Sequence, residues 1–240
     1  MHFKNTIIAL LFLFLCSCTE KQTIGNLHIK GNINGLKKGT LYIKKIVDTA
    51  LVAIDTIKID GDSHFESHLT IQSPEMYFLV IDRGITNSID DNLPFFAEAG
   101  NISIETQLEG YYNKAKITGS KNQKLFEEYK KINSKFKDER LALTEARLTA
   151  LRFNKLYRID SIQKLENILL KRSYLFATNF ALNNRNSEIA PYIALSEIND
   201  INLKYLDTIR KSMSPKVAAS FYGKKLTAYY NERKKLEAQQ

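Results

Sequence analysis

The side chains of this 240-residue chain that could do chemistry are few, and most stand in pairs. Cys16 and Cys18, the only cysteines, are separated by one serine. Two neighbouring thiols would suit a redox step or a soft metal if both persisted as thiols. His64 and His68 have the i, i+4 spacing that puts two imidazoles on one side of a helix. Their segment, "SHFESHLT", instead reads as a strand. Four residues along a strand carry the rings roughly 13 Å apart, too far to share an ion whose Zn–N bonds are near ~2 Å. His28 has no partner near it in the sequence, so exposed histidines and no metal are expected. Asp82, Asp90 and Asp91, with Asn87 and Asn92, make an oxygen-rich loop, but the EF-hand order and its closing glutamate are missing, which predicts a solvated loop. Glu98 and Glu105 are an acid/base pair only as any two carboxylates are, and on strands flanking "AGN" they are expected to face water. No Gly-x-Ser-x-Gly, His-Glu-x-x-His, Walker loop or dinucleotide fingerprint occurs. The expectation is a chain without catalytic, cofactor-binding or metal residues.

The cysteines close an N-terminal leader. In "MHFKNTIIALLFLFLCSC" one cation, Lys4, precedes a nearly unbroken apolar run from Ile7 to Leu15, and small residues follow. At ~1.5 Å per residue that run falls far short of the ~30 Å hydrocarbon core, so it reads as a signal peptide rather than a mature anchor. Leu15-Cys16-Ser17-Cys18 resembles the lipobox of bacterial lipoproteins, with leucine three residues before the cysteine and a small residue just before it. In that family the thiol receives a diacylglycerol, the chain is cut before the cysteine, and the new amino end is acylated. The register selects Cys18 as the lipid attachment, because Cys16 would directly follow bulky Leu15. Residues 1–17 are then a lipoprotein signal peptide and 18–23 a lipidated tether. The surviving sulfur is a thioether, which leaves no free thiol, disulfide or thiolate ligand. Acyl chains at ~0.8 kcal/mol per buried CH₂ would hold the protein to a membrane of the cell envelope. Thr19 is not the aspartate that retains lipoproteins at the inner membrane in some bacteria, which points to the outer membrane.

Two halves follow with different periods. The composition, 44% hydrophobic and 10% aromatic, suffices for a real core. Residues 24–119 hold eight short apolar segments separated by turn residues, from "NLHIKGNI" to "KAKITG". "TLYIKKI" and "VAIDTIKI" alternate in the manner of strands with one buried face. Asp60-Gly61 between two such runs signals a hairpin. The expectation is an α+β protein: an N-terminal antiparallel β-sandwich or small barrel of about eight strands, then an α-helical domain over 120–240. That second part lacks glycine and proline from Ser120 to Ala190 and carries a heptad-like stripe of Leu125, Tyr129, Ile132, Phe136, Leu143, Ala146, Ala150, Phe153 and Tyr157. A continuous rod would be very long, so a break is placed at "RFNK" (152–155). A second helix ends near "NNRNS" (183–187), followed by a short helix, one through "NLKYLDTIRKSM", and one from Pro215 to the end.

With that layout in view, the chain resembles Bacteroidota lipoproteins in which an uncharacterised β-domain and a helical region precede a thioredoxin-like domain of the TlpA/ResA type. The residues that carry the resemblance are "IKGNINGLKKGTLYIKK" (29–45), "DTIKIDGDSHFE" (55–66), "PEMYFLV" (74–80), "FFAEAGNISI" (95–104), "ITGSKNQKLFEEY" (117–129), "NSEIAPYIAL" (186–195) and "SFYGKKL" (220–226). The resemblance implies the fold more firmly than an activity. These 240 residues contain no Cys-x-x-Cys, so the family's disulfide chemistry transfers to no residue, and the thioredoxin domain is expected to be lacking.

The net charge of +9 lies in the helical part: residues 19–124 balance to −1 and residues 125–240 to +9. Clusters at 121–131, at Lys155 and Arg158, at 169–174 and at 231–235 are interspersed with acids, which suits solvated helix faces rather than nucleic-acid binding. Tyr222, Tyr229 and Tyr230 are expected to pack between helices. The sequence therefore predicts a non-catalytic envelope lipoprotein, membrane-bound through its lipid, that binds a protein or glycan partner. The alternative is an accessory subunit that docks a separately encoded thioredoxin-like oxidoreductase.

Overall fold

The computed structural model describes residues 25–82 and 89–239; the leader, Cys16, Cys18 and the tether to residue 23 lie outside them. All eight expected strands form: β1 (Leu27–Asn34), β2 (Lys38–Val47), β3 (Ala50–Asp60), β4 (His64–Leu69), β5 (Glu75–Asp82), β6 (Asn92–Ala97), β7 (Gly100–Gln107) and β8 (Lys116–Thr118). They make two four-stranded sheets, ordered β4-β1-β7-β8 and β3-β2-β5-β6. The architecture is α+β with two facing sheets, not a closed barrel. Six α-helices follow among the described residues: α1 (Lys121–Arg152), α2 (Ile159–Asn183), α3 (Ile189–Ser196), α4 (Leu203–Ser212), α5 (Pro215–Ala218) and α6 (Phe221–Glu237).

Three local expectations need correction. Every ladder is antiparallel except β1–β7, which is parallel, so the first sheet is mixed. Asp60-Gly61 does not close a hairpin. β3 and β4 belong to different sheets, and the turn carries the chain from one to the other, with the Gly61 N–H donating to Lys37 O at 2.7 Å. The tight hairpin is β2–β3, whose two-residue turn is Asp48-Thr49, with Asp48 at φ 55°. The single last helix is two, because Ser214 and Ser220 each cap a separate segment by accepting from Val217 N and Gly223 N. Gly223 sits there at the junction of the two segments. A Cβ on it would lie 2.0 Å from Val217 O.

The sandwich core draws Leu27, Ile29 and Ile33 from β1, Leu41 and Ile43 from β2, Leu79 and Ile81 from β5, and Ile102 and Ile104 from β7. Gly31 opposes Phe65 across β1–β4 and leaves room for its ring; a Cβ would meet that ring at 2.7 Å. The strands "MYFLV" and "FFA" do not alternate because they are covered on both sides. Tyr77, Leu79 and Phe95 face the sandwich, while Met76 and Phe96 join a second cluster with the helices. In that cluster Phe96 and Phe126 pack edge-on to Tyr192 at 5.5 and 5.7 Å. The Phe96 N–H donates to the buried Gln123 Oε1 at 2.8 Å, which fastens edge strand β6 to α1.

Candidate functional site

Where strand ends meet helix starts, a cleft of about 340 Å³ opens, lined by Asn26, Ser73, Glu98, Lys121, Asn122, Glu188 and Lys216 among others. Glu98 does not simply face water. Its carboxylate accepts from the first backbone N–H groups of α1, Lys121 N at 2.6 Å and Asn122 N at 3.2 Å, and from Asn122 Nδ2 at 2.7 Å. An anion at a helix N-terminus satisfies unpaired donors and the dipole together. Asn122, itself buried, also donates to Glu188 Oε2 at 3.1 Å, and its Oδ1 accepts from Ile189 N at 2.9 Å. The cleft walls are thus a closed polar lattice that joins the sandwich to α1 and α3. Its two carboxylates are held by hydrogen bonds, and no histidine lines it. Glu105 is elsewhere, exposed on β7 across from Asn32.

The outer face of the β4-β1-β7-β8 sheet gathers what the sequence kept apart. Antiparallel pairing sets His28 opposite His68, and parallel pairing sets Asn101 on the other side of His28. The next row is Glu66, Lys30, Ser103, and the third is His64, Asn32, Glu105. His28 and His68 stack with ring centroids 4.4 Å apart and 3° between planes. Glu66 Oε1 lies 2.5 Å from His28 Nε2 and 3.2 Å from His68 Nε2, and these contacts, His28 foremost, hold its carboxyl below the usual range. His64 takes no part: its ring pairs with Asp62 at 2.7 Å. His64 and His68 stand on one strand, β4, as expected, but the relevant partner of His68 is a residue 40 positions away. The signal for it is strand order, which a local reading does not supply.

The third feature is an arm. α1 and α2 pack antiparallel, and Tyr129, Phe136, Phe176 and Phe180 interlock near the body. Beyond Phe136 the helices continue as a pair, cross-linked by Arg172–Glu139 at 3.1 Å and Arg147–Glu166 at 3.6 Å. The break falls at "RFNK" as expected. Asn154 at φ 51° ends α1 in a Schellman arrangement, with Lys155 N donating to Ala150 O at 2.8 Å and Asn154 N to Leu151 O at 3.1 Å. The heptad-like stripe is only partly buried. Leu148, Leu151, Phe153 and Leu156 are more than half exposed at the tip, and Tyr157 is 78% exposed. Residues 146–159 carry Arg147, Arg152, Lys155 and Arg158 and no acid. A smaller apolar patch, Ile46, Val47, Leu51 and Val52, sits at the free end of the β2–β3 hairpin.

The remaining residues singled out in the sequence serve structure. Tyr222 Oη accepts from Met76 N at 3.0 Å, Tyr229 Oη donates to Asn199 O at 2.9 Å, and Tyr230 lies under the Arg210 guanidinium. Arg233, from the basic run at 231–235, donates to Asn199 O and Ile201 O. Asp82 ends β5, and Asp90 and Asp91 form a 3-10 turn before β6; Asn87 lies outside the described residues. No helix among the described residues is long and apolar enough to cross a membrane.

The fold and these surfaces define a two-sheet sandwich with a helical layer and a projecting helical arm. Residues 27–126 match the family described as a domain of unknown function, DUF4369; the match spans the sandwich and the first turns of α1. No curated protein and no solved structure matches the chain.

Proposed function

We propose that this chain is a non-catalytic binding module of the cell envelope, anchored through acylated Cys18 to the outer membrane, whose α1–α2 arm docks a protein partner. The observation that carries the reading is the tip: five large apolar side chains left in water next to a core that encloses dozens of atoms of the same kind. Contiguous exposed apolar surface rimmed by charge marks interaction sites. Arg152, Lys155 and Arg158, with no acid among residues 146–159, favour a partner with an apolar patch ringed by carboxylates. The leader and lipobox support export and lipid anchoring, and the cleft supports a structural role, since Glu98 caps α1 and Glu188 accepts from the Asn122 side chain.

The test is a photoreactive amino acid placed at Leu148 in the full chain, expressed with its own leader in the envelope of a bacterium that makes it. The expected result is one discrete protein adduct, lost when Leu151→Gln and Leu156→Gln are added and weakened by salt. A thioredoxin-like protein in that adduct would select the accessory role. Adducts to lipid alone, or an equal yield from a probe on the sandwich surface, would overturn the docking reading. The anchor has its own readout: Cys18→Ser should release the chain from membranes, and retention of that variant would overturn it.

A further inference from the structure

The three donor atoms of His28, Glu66 and His68 lie within 4.8 Å of one another on the sheet face. The contact behind His28 orients its ring. His28 Nδ1 is 3.1 Å from Asn101 Oδ1, an acceptor, so Nδ1 carries the hydrogen and Nε2 keeps its lone pair in the neutral ring. That Nε2 is sealed from water and makes no well-angled hydrogen bond, although Glu66 Oε1 stands 2.5 Å away. His68 Nε2 turns toward the same oxygen. His68 Nε2 reaches Glu66 Oε1 through a hydrogen bond at 3.2 Å, and when that proton leaves, two imidazole lone pairs and a carboxylate face one point, which is the donor set a bound cation takes.

We propose that His28, Glu66 and His68 form a binding site for a divalent transition-metal cation, with Zn²⁺ as its natural class of ligand. Two imidazoles and one carboxylate are ligands for borderline-soft ions, whereas calcium and magnesium take oxygen sets. Donor atoms around a tetrahedral Zn²⁺ are ~3.3 Å apart given bonds near ~2.0–2.1 Å, so the present spacing needs only a small adjustment. Rotation of the exposed His68 and Glu66 side chains provides it, while His28 is held by Asn101 in the way that outer hydrogen bonds orient metal-bound imidazoles. The fourth position opens to solvent, which leaves room for water or for a donor from a partner. This site is separate from the arm and does not depend on what the arm binds.

The test uses the full chain with Cys16→Ser and Cys18→Ser, which removes thiols as competing ligands and alters no described residue. Zn²⁺ alone is titrated by calorimetry, and Co²⁺ is followed by its visible absorption. The expected result is one ion per chain, at least about tenfold weaker in His28→Ala and in His68→Ala, about tenfold weaker in Asn101→Ala, and unchanged in His64→Ala. Circular dichroism checks that each variant is folded, and the conservative His68→Gln serves should His68→Ala fail to fold. Absence of a stoichiometric ion in the parent chain overturns the site. So does an ion whose affinity ignores either His28 or His68.

Discussion

In the sandwich, Leu27, Ile29, Leu41, Ile43, Leu79 and Phe95 have no exposed surface; in the α1–α2 arm, Leu141, Leu148, Leu151, Leu156, Leu165 and Ile168 are more than half exposed. The two regions use the same kinds of side chain, but only one of them removes that surface from water. At roughly 25 cal/mol per Å² the sandwich residues stabilise the fold strongly. The arm residues give up more than half of that gain. What they supply instead is a surface, which under the docking proposal serves a partner rather than stability. The polar cleft belongs with the first group, the residues that serve stability.

The largest expected effect tests the first half of that contrast. Phe95→Ala should destabilise the protein by about 3–5 kcal/mol, because the ring is enclosed between β5 and the opposite sheet and its removal leaves a cavity. Urea unfolding followed by circular dichroism measures it. A cost near that of a surface substitution would place Phe95 outside the core and dissolve the comparison.

Next comes the joint between the layers. Asn122→Ala removes the donor to Glu188, which is only 5% exposed, and leaves the Ile189 N–H without its acceptor. A buried carboxylate and amide deprived of partners cost about 1–3 kcal/mol. If the lattice couples sandwich and helices, the variant should still unfold in one transition at a lower urea midpoint. Two separated transitions would show that the layers unfold independently.

Much of the fold was visible in the sequence, and the misses share a cause. All eight strands and the break at "RFNK" follow from local pattern and turn chemistry. What local pattern does not carry is which strand lies beside which. Asp60-Gly61 has the residues of a hairpin turn, yet β4 pairs with β1 and β3 with β2. The same strand order brings His68 to His28, and no spacing rule over four or five residues could find a partner 40 positions away. Glu98 reads locally as a solvated carboxylate, because the helix start that it caps lies 23 residues further on and returns to it only in the tertiary fold. The heptad stripe in α1 was legible as apolar, but apolar periodicity does not say whether anything covers it. Cys18, the one site residue assigned from the sequence, lies outside the described residues.

The enclosed parts of the molecule should also respond to alkaline solution. Burial pushes Tyr77 and Tyr192 up to about 12, in the sandwich and in the helical cluster respectively. A raised phenol means that the fold keeps the proton that the unfolded chain releases near ~10. The stability contributed by these neutral phenols is complete below pH ~10 and is lost as the pH climbs to about 12. Urea midpoints should fall across that window, together with a late rise in phenolate absorbance, and Tyr192→Phe should make the fall shallower. A midpoint that is flat there would remove both phenols from the enclosed set.

The smallest expected effect is the sharpest test of the arm. Leu148→Gln and Leu156→Gln replace side chains that are more than half exposed, and glutamine keeps leucine's helix propensity. Each should move stability by no more than about 0.5 kcal/mol. An apolar residue held for its packing would cost several times more on losing its hydrophobic end. If the pair leaves the urea midpoint in place while the crosslinked adduct disappears, the leucines serve recognition and not folding. If stability drops sharply instead, the arm folds back on a surface of its own chain, and its leucines join the core side of the comparison.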